Sequence, residues 1–222
     1  MVTAHAASEH RLLLASQSPR RRELLALLGL PFETAAPDVD EAPRAGEAPA
    51  ALAARLSQAK AQACSNGHSI VIACDTIVAH GDQVLGKPRD KDEAEEMLRR
   101  LRGRPHSVYT AVTLLKETKN SILTDVAETL VIMRAYTDDE LAAYVASGDP
   151  MDKAGAYAIQ HRGFAPASGV QGCYANVMGL PLCHLTRCLC RWEVEPRQDV
   201  PKACQSHIGH RCVVYPDILN DE

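Results

Sequence analysis

Leu12-Leu13-Leu14-Ala15-Ser16-Gln17-Ser18-Pro19-Arg20-Arg21-Arg22 is the stretch on which the fold turns. Its first four residues form a short apolar run of the kind a buried strand shows, and 16–18 read as a polar loop. Ser18 is a good N-cap, and Pro19 takes the first helical position, where its missing N–H is no loss. A helix over about 19–28 follows, and Gly29 closes it. Cations in a first turn are unfavourable by ~0.3–1 kcal/mol each, because the helix N-terminus carries partial positive charge. An anion on the free N–H groups reverses that sign, and strand, short loop and helix start is the geometry such sites use. Successive helical residues point about 100° apart, so at most two of Arg20, Arg21 and Arg22 converge on one ligand. The alternative is that all three splay into solvent.

Away from this turn the chain alternates between the two periodicities. Residues 31–49, rich in proline, glycine and acids, read as a surface loop. A helix is expected over about 49–65, stopped by Asn66-Gly67. A β-rich run covers 69–78, Gly81-Asp82 turns the chain, and Val84-Leu85 leads into Gly86-Lys87-Pro88. Asp90 and Glu93 have capping-box spacing for a helix to about Leu101, as do Thr137 and Glu140 for one ending near Gly148. Between them, 106–115 and 122–133 read as a strand pair. Residues 149–176 look like a functional loop region, about 181–192 a last amphipathic helix, and the chain beyond Pro196 a flexible or loosely packed tail. The expected organisation is an N-terminal extension over 1–11, one domain over 12–195 and a tail over 196–222. Alternating strands and helices followed by an antiparallel pair favour an α/β fold with a mixed twisted sheet and flanking helices.

Composition bounds the chemistry. With 46% apolar and 23% charged residues the chain is an ordinary globular protein, long enough at 222 residues for a sizeable core. A formal charge of -4 provides no general attraction for nucleic-acid polymers or anionic membranes, so a bound anion needs a local basic cluster. No apolar run approaches a membrane span, and the start is too polar for a signal peptide, so a cytoplasmic location is expected. The eight cysteines then read as buried thiols. Cys204-x2-His207-x2-His210-x-Cys212 fits no standard structural zinc spacing.

Two further places carry groups suited to chemistry. Asp75 interrupts the apolar run Ile70-Val71-Ile72-Ala73-Cys74 and Thr76-Ile77-Val78. A carboxylate there must end in a cleft, bind a cation or accept several hydrogen bonds; a structural cap is the plain alternative. Lys60 continues the helical row of Leu52 and Leu56, so it either snorkels or reaches into a cleft. Lys87 is held between Gly86 and Pro88, and the loop Asp38-Val39-Asp40-Glu41 offers oxygen ligands for a magnesium ion. In Asp149-Pro150-Met151-Asp152-Lys153-Ala154-Gly155-Ala156-Tyr157-Ala158-Ile159-Gln160, small residues permit close backbone approach. Gln160 there offers the donor and acceptor that suit a base edge. A tight structural turn explains this segment nearly as well.

Together, Leu14-Ala15-Ser16-Gln17-Ser18-Pro19-Arg20-Arg21, Asp75-Thr76-Ile77-Val78, Gly86-Lys87-Pro88, His106-Ser107-Val108-Tyr109-Thr110, Asp152-Lys153-Ala154-Gly155-Ala156-Tyr157, Ile159-Gln160 and Gly179-Leu180-Pro181-Leu182 resemble, in order, the Maf family of nucleotide pyrophosphatases. The resemblance implies hydrolysis of a nucleoside triphosphate to the monophosphate and pyrophosphate, with a divalent metal cation, Mg²⁺ or Mn²⁺. It also implies two lobes around a central cleft, as in the inosine triphosphatase group, and a homodimer. Asp75 matches the family's catalytic aspartate, and Arg21, Glu41, Lys60 and Lys87 fall where the family has other active-site groups. The expected arrangement is a metal on Asp75 and Glu41, charge neutralisation by Lys60, Lys87 and Arg21, and substrate contacts from Ser16, Ser18, Arg20, Arg21, Thr76, Asp152, Lys153 and Gln160. Arg20, Thr76 and Gln160 match the branch acting on dTTP and UTP. Ala73-Cys74 and Ala158 replace family glycines and alanine, adding side chains where a backbone could approach the ligand. A nucleotide-binding regulator of cell division without turnover, and a simple phosphatase, are the rival expectations.

Overall fold

The structure is a computed structural model and describes residues 10–116, 118 and 121–221; the expected N-terminal extension lies almost wholly outside them. Strand β1 (Leu12–Ala15) is buried along its whole length. It runs parallel to β2 (Phe32–Ala35) on one side and to β3 (Ile70–His80) on the other, the environment that a continuous apolar run requires. Helix α1 (Pro19–Ala26) starts as expected, with the Ser18 hydroxyl accepting from the Arg21 N–H at 3.4 Å, but its regular part ends before Leu28.

Helix α2 (Pro49–Ala63) packs on β3, which continues through β4 (Gln83–Leu85) to α3 (Lys91–Leu101). The hairpin β5 (Pro105–Lys116) and β6 (Ser121–Met133) leads to α4 (Asp138–Ala146), β7 (Ala167–Gln171), α5 (Tyr174–Val177) and α6 (Leu182–Cys190). Among the described residues the strands form one seven-stranded sheet in the order β2-β1-β3-β5-β6-β7, with β4 beside β3. The pairs with β1 are parallel and the others antiparallel, so the sheet is mixed. No helix among the described residues is long and apolar enough to cross a membrane.

Three expectations need correction. The stretch 31–49 contains β2, whose residues Phe-Glu-Thr-Ala are half exposed at the sheet edge and carry no apolar run; pairing with β1 makes them a strand. The loop region 149–176 likewise contains β7, held by β6 rather than by its own composition. The tail is not loose. It forms α7 (Val200–Ile208), capped by Asp199, and α8 (Tyr215–Asn220). Val200 is buried against the core, with Cys204 and Ile208 packed on it. Arg187 of α6 binds Asp125 at 2.6 Å and Asp221 at 2.8 Å, tying α8 down. At α3 the capping box is half formed: Asp90 accepts from the Glu93 N–H, while Glu93 turns to the Arg89 N–H. At α4 both halves are present.

The period of two in β3 sorts the core. Ile70, Ile72 and Cys74 join Leu14, Leu24, Leu28, Leu185 and Leu189 beneath α1 and α6. Val71, Ala73 and Ile77 lie on the other face, under Ala53, Leu56 and Ala61 of α2. A buried polar network fastens α5 to the hairpin. Asn176 donates to the Val108 carbonyl and the Thr129 hydroxyl, both at 2.9 Å, and Thr110 donates to the Asn176 carbonyl. Replacing Asn176 by alanine removes two buried hydrogen bonds, so Asn176→Ala should lower stability by about 2 kcal/mol. The check is a lower urea midpoint with an unchanged m-value.

His106 is buried, with Nε2 at 2.7 Å from the Tyr157 hydroxyl and Nδ1 without a hydrogen-bond partner. Burial, helped by His80, pushes its pKa down to about 4. The unfolded chain therefore takes up this proton first. Stability from the neutral ring is complete above about pH 6.5 and is lost progressively as the pH falls towards 4. Across that window wild type should lose up to ~3 kcal/mol more than His106→Gln, measured by denaturant titration at each pH.

Candidate active site

The site lies where the sheet is left open. β3 pairs with β1 only as far as Ala73 and with β4 only from Val78, while β5 covers its other side from Val71 to Ala79. Among the described residues, 74–77 thus have no partner strand on the β1 side, and Asp75-Thr76 sit at that gap. A cleft of about 940 Å³ opens there, within the range of small-molecule sites. Ser16, Ser18, Arg20, Arg21, Glu41, Lys60, Asp75, Thr76, Lys87, Asp152, Lys153 and Gln160 all line it. Every expected site residue is therefore brought to one cleft. Arg22 is not among the lining residues, in keeping with the limit of two arginines per ligand.

Asp75 and Thr76 point to opposite faces of the sheet. Asp75 looks towards α2, where Lys60 donates to its Oδ1 at 2.5 Å; both residues are buried, at 5% and 7% exposure. Lys60 also meets Glu41 Oε1 at 2.6 Å, bridging the two carboxylates. Snorkelling is thus excluded: the ammonium points inward and compensates a charge that would otherwise be buried unpaired. Partial burial pushes the Glu41 pKa up, but the Lys60 hydrogen bond and the charges of Lys60, Lys87 and Arg21 outweigh it and hold the carboxyl below its usual range. The carboxylates of Glu41 and Asp75, facing one ammonium, are hard oxygen donors that suit Mg²⁺ or Mn²⁺ alongside phosphate oxygens and water.

On the other face Arg21 acts as a clamp. It donates to the Gly179 carbonyl at 2.8 Å, Thr76 Oγ1 at 3.0 Å and Ser16 Oγ at 3.4 Å. Thr110 gives its hydroxyl proton to Asn176, so in the 3.0 Å contact between the two threonines Thr76 must be the donor. The Thr76 proton is spent, and its oxygen orients Arg21. Two N–H groups of the guanidinium remain for an anion. Gly179 has φ +102, and a Cβ there would lie 3.3 Å from Thr76 Oγ1 and 3.4 Å from Arg21 Nε, so the clamp needs glycine.

The segment 152–160 closes the cleft. Gly155 has φ +70, and a Cβ would come within 2.9 Å of Val78, which accounts for the small residues there. Gln160 is exposed at the rim. Lys153 departs from expectation. Its ammonium binds the Asp149 carbonyl, Asp149 Oδ1 at 3.1 Å and Asp152 Oδ1 at 2.6 Å. With three donors occupied it braces the loop, and the direct substrate contact expected of it is not what this geometry offers. In the tail, Cys204 and His207 lie on α7 while His210 and Cys212 follow it. No group of three or more His, Cys, Asp or Glu side chains among the described residues is placed to hold a metal.

Arg55 has a part that the sequence reading missed. It grips Glu47 through two hydrogen bonds, at 2.6 and 2.8 Å, and donates to the Ala42 carbonyl at 3.0 Å. Those contacts pin the loop carrying Glu41 onto α2. In the sequence Arg55 looks like any exposed helical charge.

Residues 11–192 match the family described as Maf-like protein. The chain belongs to the Maf family. A dTTP/UTP pyrophosphatase from Myxococcus xanthus (strain DK1622) is 49% identical over 178 residues, covering 79% of this chain and 89% of its own. A dTTP/UTP pyrophosphatase from Geotalea uraniireducens (strain Rf4) is 42% identical over 186 residues, covering 83% and 96%. Among solved structures, a HAM1 protein from Coxiella burnetii overlaps 57% of this chain and 74% of its own, with a TM-score of 0.42 and 17% identity. Within this Maf chain the Arg55 clamp is open to direct test. Arg55→Ala should speed amide exchange at Arg44 and Glu47 about tenfold and leave β3 protected. Hydrogen exchange read by NMR or mass spectrometry checks it.

Proposed function

We propose that this chain hydrolyses dTTP and UTP to the monophosphate and pyrophosphate, and that Asp75 and Glu41 are the residues that would hold Mg²⁺ or Mn²⁺. The observation that carries this reading is the buried Asp75 at the open edge of β3, paired with Lys60 and facing a cleft lined by Arg20, Arg21 and Lys87. The relatives from Myxococcus xanthus and Geotalea uraniireducens are dTTP/UTP pyrophosphatases, which supports the same choice of substrate.

The triphosphate enters at the start of α1, where the Arg20 N–H and the free donors of Arg21 meet its oxygens. Lys60 has two contacts to carboxylates and keeps one N–H for a phosphate. Lys87 stands exposed at the rim, free to approach the leaving pyrophosphate. Asp75 engages Lys60 through Oδ1, leaving Oδ2 to orient the attacking water and accept its proton. When bound, the cation neutralises charge developing on the phosphate oxygens. Gln160 at the rim presents a donor and an acceptor to the base.

Asp75→Asn keeps the shape of the side chain and removes its basicity. The folded variant should lose about 10²–10⁴-fold in turnover. The assay supplies dTTP, UTP, CTP, GTP and 7-methyl-GTP with Mg²⁺ or Mn²⁺ and measures monophosphate, pyrophosphate and inorganic phosphate. Near-normal pyrophosphate release by the variant rules out the role of Asp75. Inorganic phosphate as the primary product would make the protein a simple phosphatase, and tight binding without turnover a regulator.

A further inference from the structure

We propose that Tyr144 is a positioning residue for base selection, its hydroxyl fixing the segment Ala158-Ile159-Gln160 at the mouth of the cleft. This rests on the reading that Gln160 faces the base of a pyrimidine nucleotide. Tyr144 belongs to α4 and does not itself line the cleft; it is 3% exposed. Its hydroxyl accepts the Ala158 N–H at 2.9 Å and donates to Asp149 Oδ2 at 2.7 Å. The other oxygen of that carboxylate takes the Lys153 ammonium, which also holds Asp152. One phenol therefore joins both stretches of the cleft wall, 152–154 and 157–160.

The ring is held as firmly as the hydroxyl. It stacks on Phe164 at 4.2 Å with planes 11° apart and meets His161 edge-on at 4.8 Å. Phe164 and His161 flank the turn that follows Gln160, and the His161 ring accepts the Phe164 N–H at 2.9 Å. Between the two anchors Ala156 has φ +60, a left-handed conformation that alanine adopts only under constraint. Packing alone at this point of α4 is satisfied by phenylalanine. The hydroxyl is needed because Ala158 turns its N–H into a buried space where the phenol is its acceptor. Without it the segment loses its register, and the Gln160 amide no longer stands at a fixed height over the cleft.

The test is Tyr144→Phe, with folding checked by circular dichroism. The Ala158 amide should exchange about tenfold faster or more, whereas Asn176 and the β3 amides keep their protection. KM for dTTP and UTP should rise about tenfold with kcat within about twofold, and the preference for UTP over CTP should fall about tenfold. Inhibition by inorganic tripolyphosphate, which has no base, should be unchanged. An equal loss for every nucleotide, a fall confined to kcat, or unaltered exchange at Ala158 each overturns the proposal. Should wild type turn over none of these nucleotides, the hydrolase reading fails separately. Equilibrium binding of uridine monophosphate to both proteins then decides: about tenfold weaker binding by the variant upholds the role of Tyr144, and no difference overturns it.

Discussion

Asp75 is a carboxylate placed inside a sheet, and the surrounding structure is arranged around the consequences. An ionised carboxylate taken from water without a partner is unstable by many kcal/mol, and removing one partner of a buried pair typically costs about 3–5 kcal/mol. Lys60 meets that demand, so α2 must cross the sheet where the row of Leu52, Leu56 and Lys60 can deliver an ammonium to β3, with Ala53, Leu56 and Ala61 setting its height over Val71, Ala73 and Ile77. The same ammonium fixes Glu41, which otherwise belongs to an exposed loop. One buried charge thus sets the seat of a helix, and that helix through Arg55 sets the path of a loop.

The missing strand between β1 and β4 gives the pair its chemical use. A fully paired β3 would enclose Asp75 as a structural ion pair. Because pairing with β1 stops at Ala73 and β4 begins at Val78, a ligand can reach both faces of the strand at one place. The pleat then divides the labour. Asp75, with Lys60 and Glu41, occupies the α2 face; Thr76, Arg21 and Gly179 occupy the other. On that second face the hydrogen bonds have a fixed direction, from Arg21 to Thr76 to Thr110 to the Asn176 carbonyl. Buried networks of this kind hold a guanidinium in one orientation, which a flexible surface arginine would have to find on binding.

Features that depend on local sequence were legible. The strand, the Ser18 cap and Pro19 at the start of α1 follow from period and capping rules, as does the interruption at Asp75. The elements that escaped depend on partners distant in the chain. β2 and β7 have little apolar pattern and become strands by pairing with β1 and β6. The tail did carry signals, Asp199 as a cap, Pro201 in the first turn and Gly209 at φ +70 as a stop. Its short amphipathic face was too weak to read without the core that receives Val200. Arg55, Tyr144 and Asn176 were invisible for another reason. Their residue types are ordinary for an exposed charge, a core aromatic and a turn, and only hydrogen bonds spanning up to 68 positions reveal what they hold.

The departures from the family pattern weigh differently once their places are known. Ala73 is enclosed beneath α2, and Cys74 points into the core shared with α1 and α6, both fully buried and outside the cleft lining. Burial pushes the Cys74 thiol up to about 11, so it is neither a nucleophile nor a ligand at neutral pH. Those two changes fill the core and leave the ligand's path untouched. Ala158 differs, because it lines the cleft while its N–H is held by Tyr144. A methyl group at that point sits on a segment that cannot easily retreat. Whatever this position does to the range of bases accepted, it does through a wall whose rigidity comes from α4, outside the cleft.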